Sequence, residues 1–155
     1  MDVKAEIITI GNELITGAQD DTNGPYVAQR LFSQGISVQR IISVGDDAET
    51  TTRALKESIT RADLVLITGG LGPTRDDITT EVATKALGKK LVLFPEALDH
   101  INKVLGSYKV PTTEGQKKQA YFPEGAEIIP NPKGTAPGFL IKENIEYILA
   151  PLMIK

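Results

Sequence analysis

ADLVLITGGLGPTRDDIT, residues 62–79, sets a continuous apolar run directly against three glycines, a proline, an arginine and two adjacent aspartates. LVLIT is short and apolar throughout, the pattern of a strand covered on both faces. Beyond the glycines, Ile78, Val82, Ala86 and Leu87 recur at helical spacing until Gly88. A buried strand that passes through a glycine turn into a helix is one βα unit of a parallel sheet, and the rest of the chain repeats it.

Upstream, AEIITI (residues 5–10) is a second β-branched run, closed by Gly11, and ISVQRIISVG (residues 36–45) is a third, closed by Gly45. Between them Pro25 suits a first helical turn, with Tyr26, Val27, Ala28 and Leu31 as an apolar stripe stopped by Gly35. Asp46 or Asp47 can cap the next helix, whose stripe is Ala48, Leu55, Ile59 and Ala62. Downstream, KLVLF (residues 90–94) reads as a further strand, and Pro95 opens a helix carrying Leu98, Ile101 and Leu105. Strands alternating with helices of this length predict an α/β fold with a parallel sheet covered on both faces. TTEGQKKQAYF (residues 112–122) has the form of one more helix, with Thr113 and Gln116 as a capping box, and FLIKENIEYILA (residues 139–150) that of two strands around a turn at Asn144. Tyr121 and Tyr147 lie in apolar stretches and are expected in the core. No repeat or linker divides the chain, so residues 1–155 are expected to form one domain.

Composition narrows the chemistry. With no cysteine and one histidine, His100, neither a thiolate metal site nor a His-rich zinc site is available, and any metal needs oxygen ligands. His100, beside Leu98 and Ile101, reads as a surface or packing residue. The net charge is −3 and the 17 Lys and Arg are scattered, which argues against a nucleic-acid surface and for a small partner. The start MDVKAEIITIG lacks the features of a signal peptide, and no apolar run reaches membrane-spanning length, so no membrane association and a cytoplasmic location are expected.

Ligands of open α/β sheets bind beyond the carboxyl ends of the strands. Three loops lie there: GNELITG with Gly11, Asn12 and Glu13; GDD with Asp46; and, after Thr68, GGLGPTRDD with Gly69, Gly70, Gly72, Thr74, Asp76 and Asp77. Glycines let backbone N–H groups approach a phosphate, and the following helix N-terminus adds donors and partial positive charge. Carboxylates at the same edge repel phosphate unless a cation such as Mg²⁺ is shared between them and the phosphate oxygens, which makes Asp76 and Asp77 candidate metal ligands. Taken singly, each aspartate reads equally well as a helix cap. GLGPTRDD has neither the Gly-Lys-Ser/Thr ending of a P-loop nor G-x-G-x-x-G spacing, which disfavours an NTPase or a dinucleotide dehydrogenase. Arg75 can reach a phosphate or pair with Asp76. PNPKGTAPGF (residues 130–139) offers Lys133, Gly134 and Thr135 to the same ligand, or is a surface loop.

The stretches IITIGNELITG, DTNGPYVAQRL, VGDD, TGGLGPTRDDIT and KKQAYFPEGAEIIPNPKGTAPGF, running in order along most of the chain, resemble the N-terminal domain of the CinA (competence/damage-inducible protein A) family, part of the molybdopterin-binding MoaB/Mog-like superfamily. The resemblance implies a three-layer α/β/α fold with a mostly parallel central sheet and a molybdopterin-type pocket at its carboxyl edge. In Mog-like relatives that pocket binds the pterin phosphate and supports adenylation with ATP and Mg²⁺. The family's acidic positions fall on Asp46 and Asp77, implied to be catalytic, and its glycine turn on Gly69, Gly70 and Gly72. For CinA proteins the implied activity is metal-dependent hydrolysis of ADP-ribose, with Mg, Mn or Co; the alternative is a non-catalytic module binding molybdopterin or a nucleotide. A homo-oligomer, dimer or trimer, is implied as well. The family's deamidase domain has no counterpart in the sequence, and the chain ends in YILAPLMIK where relatives continue into an LPGxP loop; turnover is therefore expected to suffer more than binding.

Overall fold

The computed structural model describes residues 3–142 and the backbone of residue 143 and of residues 146–150. In chain order the elements are β1 (Lys4–Ile10), α1 (Asn12–Ile15), α2 (Asn23–Ser33), β2 (Ser37–Val44), α3 (Ala48–Ile59), β3 (Leu64–Thr68) and α4 (Thr79–Ala86). These are followed by β4 (Leu91–Leu93), α5 (Pro95–Ser107), α6 (Glu114–Lys118), β5 (Tyr121–Pro123), β6 (Glu127–Ile129), β7 (Gly138–Glu143) and β8 (Glu146–Ala150). The main sheet has the order β2-β1-β3-β8-β7-β6. Its first four strands are parallel, β7 runs antiparallel to β8, and β6 closes the far side antiparallel to β7.

The three layers follow from period-two alternation along the central strands. Ala5, Ile7 and Leu66 are packed with Val27 of α2 on one face. Ile8, Ile10, Val65 and Ile67 belong to the larger core on the other face, with Leu55 of α3, Val82 of α4 and Ile101 of α5. The chain moves from β1 outward to β2, then back across β1 to β3. Right-handed crossovers in opposite directions put their helices on opposite faces, which is where α2 and α3 lie. β1 is buried along all but its first residue, its apolar and β-branched residues together with Glu6 and Thr9.

One buried charge is built into this sandwich. Glu6 of β1 is 2% exposed, and Arg61, just after α3, grips both carboxylate oxygens at 3.0 Å through Nε and a terminal guanidinium nitrogen. Arg40 of β2 stands 3.8 Å away. The Arg61 hydrogen bonds outweigh the opposing effect of burial and hold the Glu6 carboxyl below its ordinary value of 4.5.

Several local expectations are corrected. KLVLF does form a strand, but β4 stands outside the main sheet and pairs antiparallel with β5 in a two-stranded ribbon. The helix expected across residues 112–122 ends at Lys118, and the following residues extend as β5 so that Phe122 enters the core against Phe94 and Phe139. Strand alternation then turns Tyr121 outward, 38% exposed, rather than into the core. Tyr26, expected on the buried stripe of α2, is also exposed. Ala62 is buried, but in the turn after α3 rather than on it. The turn expected at Asn144 and the side chain of Tyr147 lie outside the described residues.

Candidate functional site

The loops after β1, β2 and β3 meet at one edge because those strands are parallel neighbours. The chain leaves β1 toward one face and β3 toward the other, so a crevice opens between their carboxyl ends. Two reciprocal bonds fasten its side: Asn12 N–H donates to Asp46 Oδ2 and Asp46 N–H donates to Asn12 Oδ1, both at 3.1 Å. The two aspartates of GDD thus divide their work. Asp47 caps α3, accepting from Thr50 N–H at 2.7 Å, and hydrogen bonding from the Thr50 side chain, with that backbone bond second, lowers its pKa. Asp46 does not cap and joins the first loop to the second.

The glycine turn is held from within. Gly69 and Gly70 have φ of 92° and 65°, in the left-handed region, and a side chain on Gly69 would strike the carbonyl oxygen of Ile10. Thr79, the first residue of α4, donates from Oγ1 to Gly69 O at 2.7 Å and from N–H to Gly70 O at 3.1 Å. Asp77 is not the cap of α4, since Ile78 occupies the N-cap position without a side-chain bond. Its Oδ2 accepts instead from Thr74 N–H at 2.8 Å and Thr74 Oγ1 at 2.6 Å. A Cβ on Gly72 would lie 2.5 Å from that same oxygen, so this glycine makes room for the carboxylate. Arg75 and Asp76 are exposed, and no ion pair joins them among the described residues.

A second group of residues clamps the turn from outside. Lys118 Nζ donates to Asp77 O at 2.7 Å and to Thr74 O at 3.3 Å, and stands 3.4 Å from Glu81. Gln119 Nε2 donates to Leu71 O at 3.2 Å. The expected capping box at Thr113 and Gln116 is present and fixes the start of α6, which carries this clamp. His100, expected to be a packing residue, is within 3.0 Å of Gly134 O through Nε2 and so supports the loop before β7. In that loop Asn131 accepts from Lys133 N–H and donates to Ala136 O, closing it on itself. Residue types alone did not single out Lys118, Gln119 or Asn131; the signal lay in KKQAYF and PNPKG standing among the stretches that carry the resemblance.

Two hollows result, with the turn as their common wall. The first, about 940 Å³, opens over the sheet edge and is lined by Gly11, Glu13, Asp46, Thr68, Asp76 and Asp77 among others, with Asp20 and Asp21 adding to its acidity and no lysine or arginine. The second, about 760 Å³, lies between the turn and the loop before β7 and is lined by Leu71, Gly72, Pro73, Gln119, Asn131 and Gly134 to Ala136. Gly69, Gly70 and Asp77 face both. Thr135 is thereby brought to the site, whereas Asn12, Thr74 and Lys133 stand outside both linings, the first two acting through Asp46 and Asp77. Along the turn, the N–H groups of Gly70, Leu71 and Gly72 donate to no protein acceptor among the described residues. Successive free N–H groups following left-handed residues form an anion-binding concavity.

The carboxylates do not form a ready-made metal cage. Among the described residues no three acidic or histidine side chains converge on one point. Oδ2 of Asp77 already accepts two hydrogen bonds, and Oδ2 of Asp46 accepts one. A divalent ion here needs oxygens from a bound ligand to complete its shell. No helix among the described residues is long and apolar enough to cross a membrane.

Residues 6–151 match the family model described as a probable molybdopterin binding domain. A "Putative competence-damage inducible protein" of Clostridium novyi is 47% identical over 150 residues, covering 97% of this chain and 36% of the relative. A protein of the same description from Alkaliphilus metalliredigens is 45% identical, covering 96% and 36%. The chain thus spans about a third of the length of the curated relatives it matches. Among solved structures, the protein CinA, of unknown function, from Thermoplasma acidophilum superposes with a TM-score of 0.90 at 33% identity, covering 96% of this chain and 87% of that one. The tungsten cofactor synthesizing protein MoaB of Pyrococcus furiosus superposes with a TM-score of 0.57 at 22% identity over 96% and 79%, a likeness of fold.

Proposed function

The chain belongs to the probable molybdopterin-binding domain family, as a CinA-type member, and from that premise we propose that it binds a phosphate-bearing nucleotide or pterin against the turn of residues 69–77. The observation that carries this reading is the row of N–H groups at Gly70, Leu71 and Gly72 without a protein acceptor, on the wall of a hollow large enough for such a ligand. Phosphate oxygens accept these donors, while Thr135 supplies a hydroxyl across the hollow.

The same site supports hydrolysis of a pyrophosphate such as that of ADP-ribose. In that reaction Asp46 and Asp77 orient water from the acidic side of the turn, and the N–H row stabilises charge on the phosphate oxygens. A divalent cation, Mg²⁺, Mn²⁺ or Co²⁺, would be held by Asp76 or Asp77 together with oxygens of the ligand and would supply charge neutralisation there. A second reading, a module that binds without turnover, is favoured by one observation: Oδ2 of Asp77 is already occupied by both donors of Thr74.

Incubating the protein with ADP-ribose and each of the three metals, and measuring AMP together with thermal stability, separates these readings. AMP that disappears in Asp77→Asn supports hydrolysis. Thermal stabilisation by nucleotide or pterin without AMP leaves the binding module. No stabilisation by any phosphate-bearing ligand overturns the proposal.

A further inference from the structure

The loop before β7 walls the second hollow through Asn131, Gly134, Thr135 and Ala136, yet little holds it there. Asn131 accepts from Lys133 N–H at 3.0 Å and donates to Ala136 O at 2.9 Å, so residues 131–136 are closed into one unit. Among the described residues a single hydrogen bond joins that unit to another element, between His100 Nε2 and Gly134 O at 3.0 Å. A carbonyl oxygen only accepts, so Nε2 carries a proton and donates. Packing on that side is incomplete: a further hollow of about 630 Å³ is lined by Glu96, Ala97 and His100 of α5 together with Ile128, Pro130 and Pro137. The donor itself is firmly carried, because α5 is seated in the core by Ala97, Ile101 and Leu105.

We propose that His100 is a positioning residue that sets the site's preference between ligands: it favours those that span from the turn to the loop over those that end at the turn. Its bond to Gly134 O fixes the distance from the glycine turn to Thr135, the hydroxyl on the opposite wall. Pro130, Pro132 and Pro137 stiffen the backbone, so the closed unit shifts as a body once its one outside bond is lost. A ligand that touches both walls must then order the loop as it binds, and that cost is subtracted from its affinity. A ligand held by the turn alone meets no such cost. His100 plays this part only if the phosphate site proposed above holds a ligand, so the test below reads the two apart.

ADP and inorganic pyrophosphate share their phosphates and differ by the adenosine that extends beyond the turn. Calorimetry on the whole chain measures both in the native protein, in His100→Leu, which keeps bulk without a donor, and in His100→Gln, which keeps an N–H donor at similar reach. His100→Ala is a second donor-free variant should leucine disturb the packing. In the donor-free variants ADP is expected to bind about fivefold more weakly while pyrophosphate changes by roughly twofold or less. His100→Gln restores the ADP affinity to within about twofold of native. A measurement without ligand accompanies these: trypsin cleavage after Lys133, an exposed residue, is expected to speed up severalfold in His100→Leu and not in His100→Gln. An ADP affinity unchanged in the donor-free variants overturns the inference, even where the loop is cleaved faster. Equal losses for ADP and pyrophosphate, or a loss that glutamine does not restore, overturn it too. If pyrophosphate still binds in those cases, the phosphate site stands and only the role of His100 falls. A native protein that binds neither compound overturns both.

Discussion

The two ends of the central sheet treat carboxylates in opposite ways. Near the amino end of β1, Glu6 is buried and gripped by Arg61 through two bonds, with Arg40 behind. At the carboxyl end, Glu13, Asp20, Asp21, Asp46, Asp76 and Asp77 line one cleft whose lining, among the described residues, includes no lysine or arginine. Lys118, the cation beside the turn, donates to the carbonyls of Thr74 and Asp77 and reaches the carboxylate of Glu81 instead. A charge that serves packing carries its counter-ion with it, because burial without one is too costly. Charges gathered without counter-ions stay tolerable only at a wet edge, and they leave that edge dependent on what binds there.

The largest effect is expected from breaking the paired end. Arg61→Met leaves Glu6 buried without its main partner and should lower stability by about 3 kcal/mol, read from urea unfolding at pH 7. The pH dependence sharpens the contrast. In the native protein the folded-state pKa of Glu6 is below its ordinary 4.5, so its contribution is fully present above that value and is lost as pH falls through the folded value. In Arg61→Met burial raises the folded pKa, the sign inverts, and acidification from pH 7 toward 5 should recover part of the lost stability. A variant whose stability falls monotonically over that range would contradict the assignment.

At the unpaired end the effects are smaller and include ligand binding. Gly69→Ala places a Cβ in a left-handed residue and against the Ile10 carbonyl, for a cost of about 2 kcal/mol and a weakened response to nucleotide or pterin in thermal shift. Smallest is Thr113→Ala, which removes a capping box whose residues line neither hollow. It should cost about 1 kcal/mol, with circular dichroism melting as the readout and ligand affinity changed through α6 alone.

The central strands were legible because burial on both faces favours apolar, β-branched runs such as LVLIT and AEIITI, the one charge in the latter, Glu6, being answered by Arg61. β4 was legible as a strand but not as a stranger to the main sheet, since its partner, Tyr121–Pro123, is about thirty residues on and looks like the end of a helix. Only the demand for Phe122 in the core decides between them. At the site, the meeting of three loops was readable from parallel order. The division between Asp46 and Asp47 was not, because a capping aspartate and a bridging one are identical until Asn12 is seen opposite. The Thr74-x-x-Asp77 spacing of a capping box carried a signal that the adjacent Asp76 and the following helix obscured. Gln119 was marked only by its place in KKQAYF, because what it touches is a property of surroundings rather than of residue type.

The clamp on the turn has a kinetic side. The bonds from Lys118 and Gln119 span 41, 44 and 48 positions of sequence, whereas the bonds that shape the turn from within span 3, 9 and 10. Closing so long a loop comes late in folding, and its reversal needs only α6, a helix of 5 residues, to lift away. Amide exchange at residues 70–77 is therefore expected to follow the undocking of α6 rather than global unfolding, and exchange rates equal to those of the central strands would contradict this.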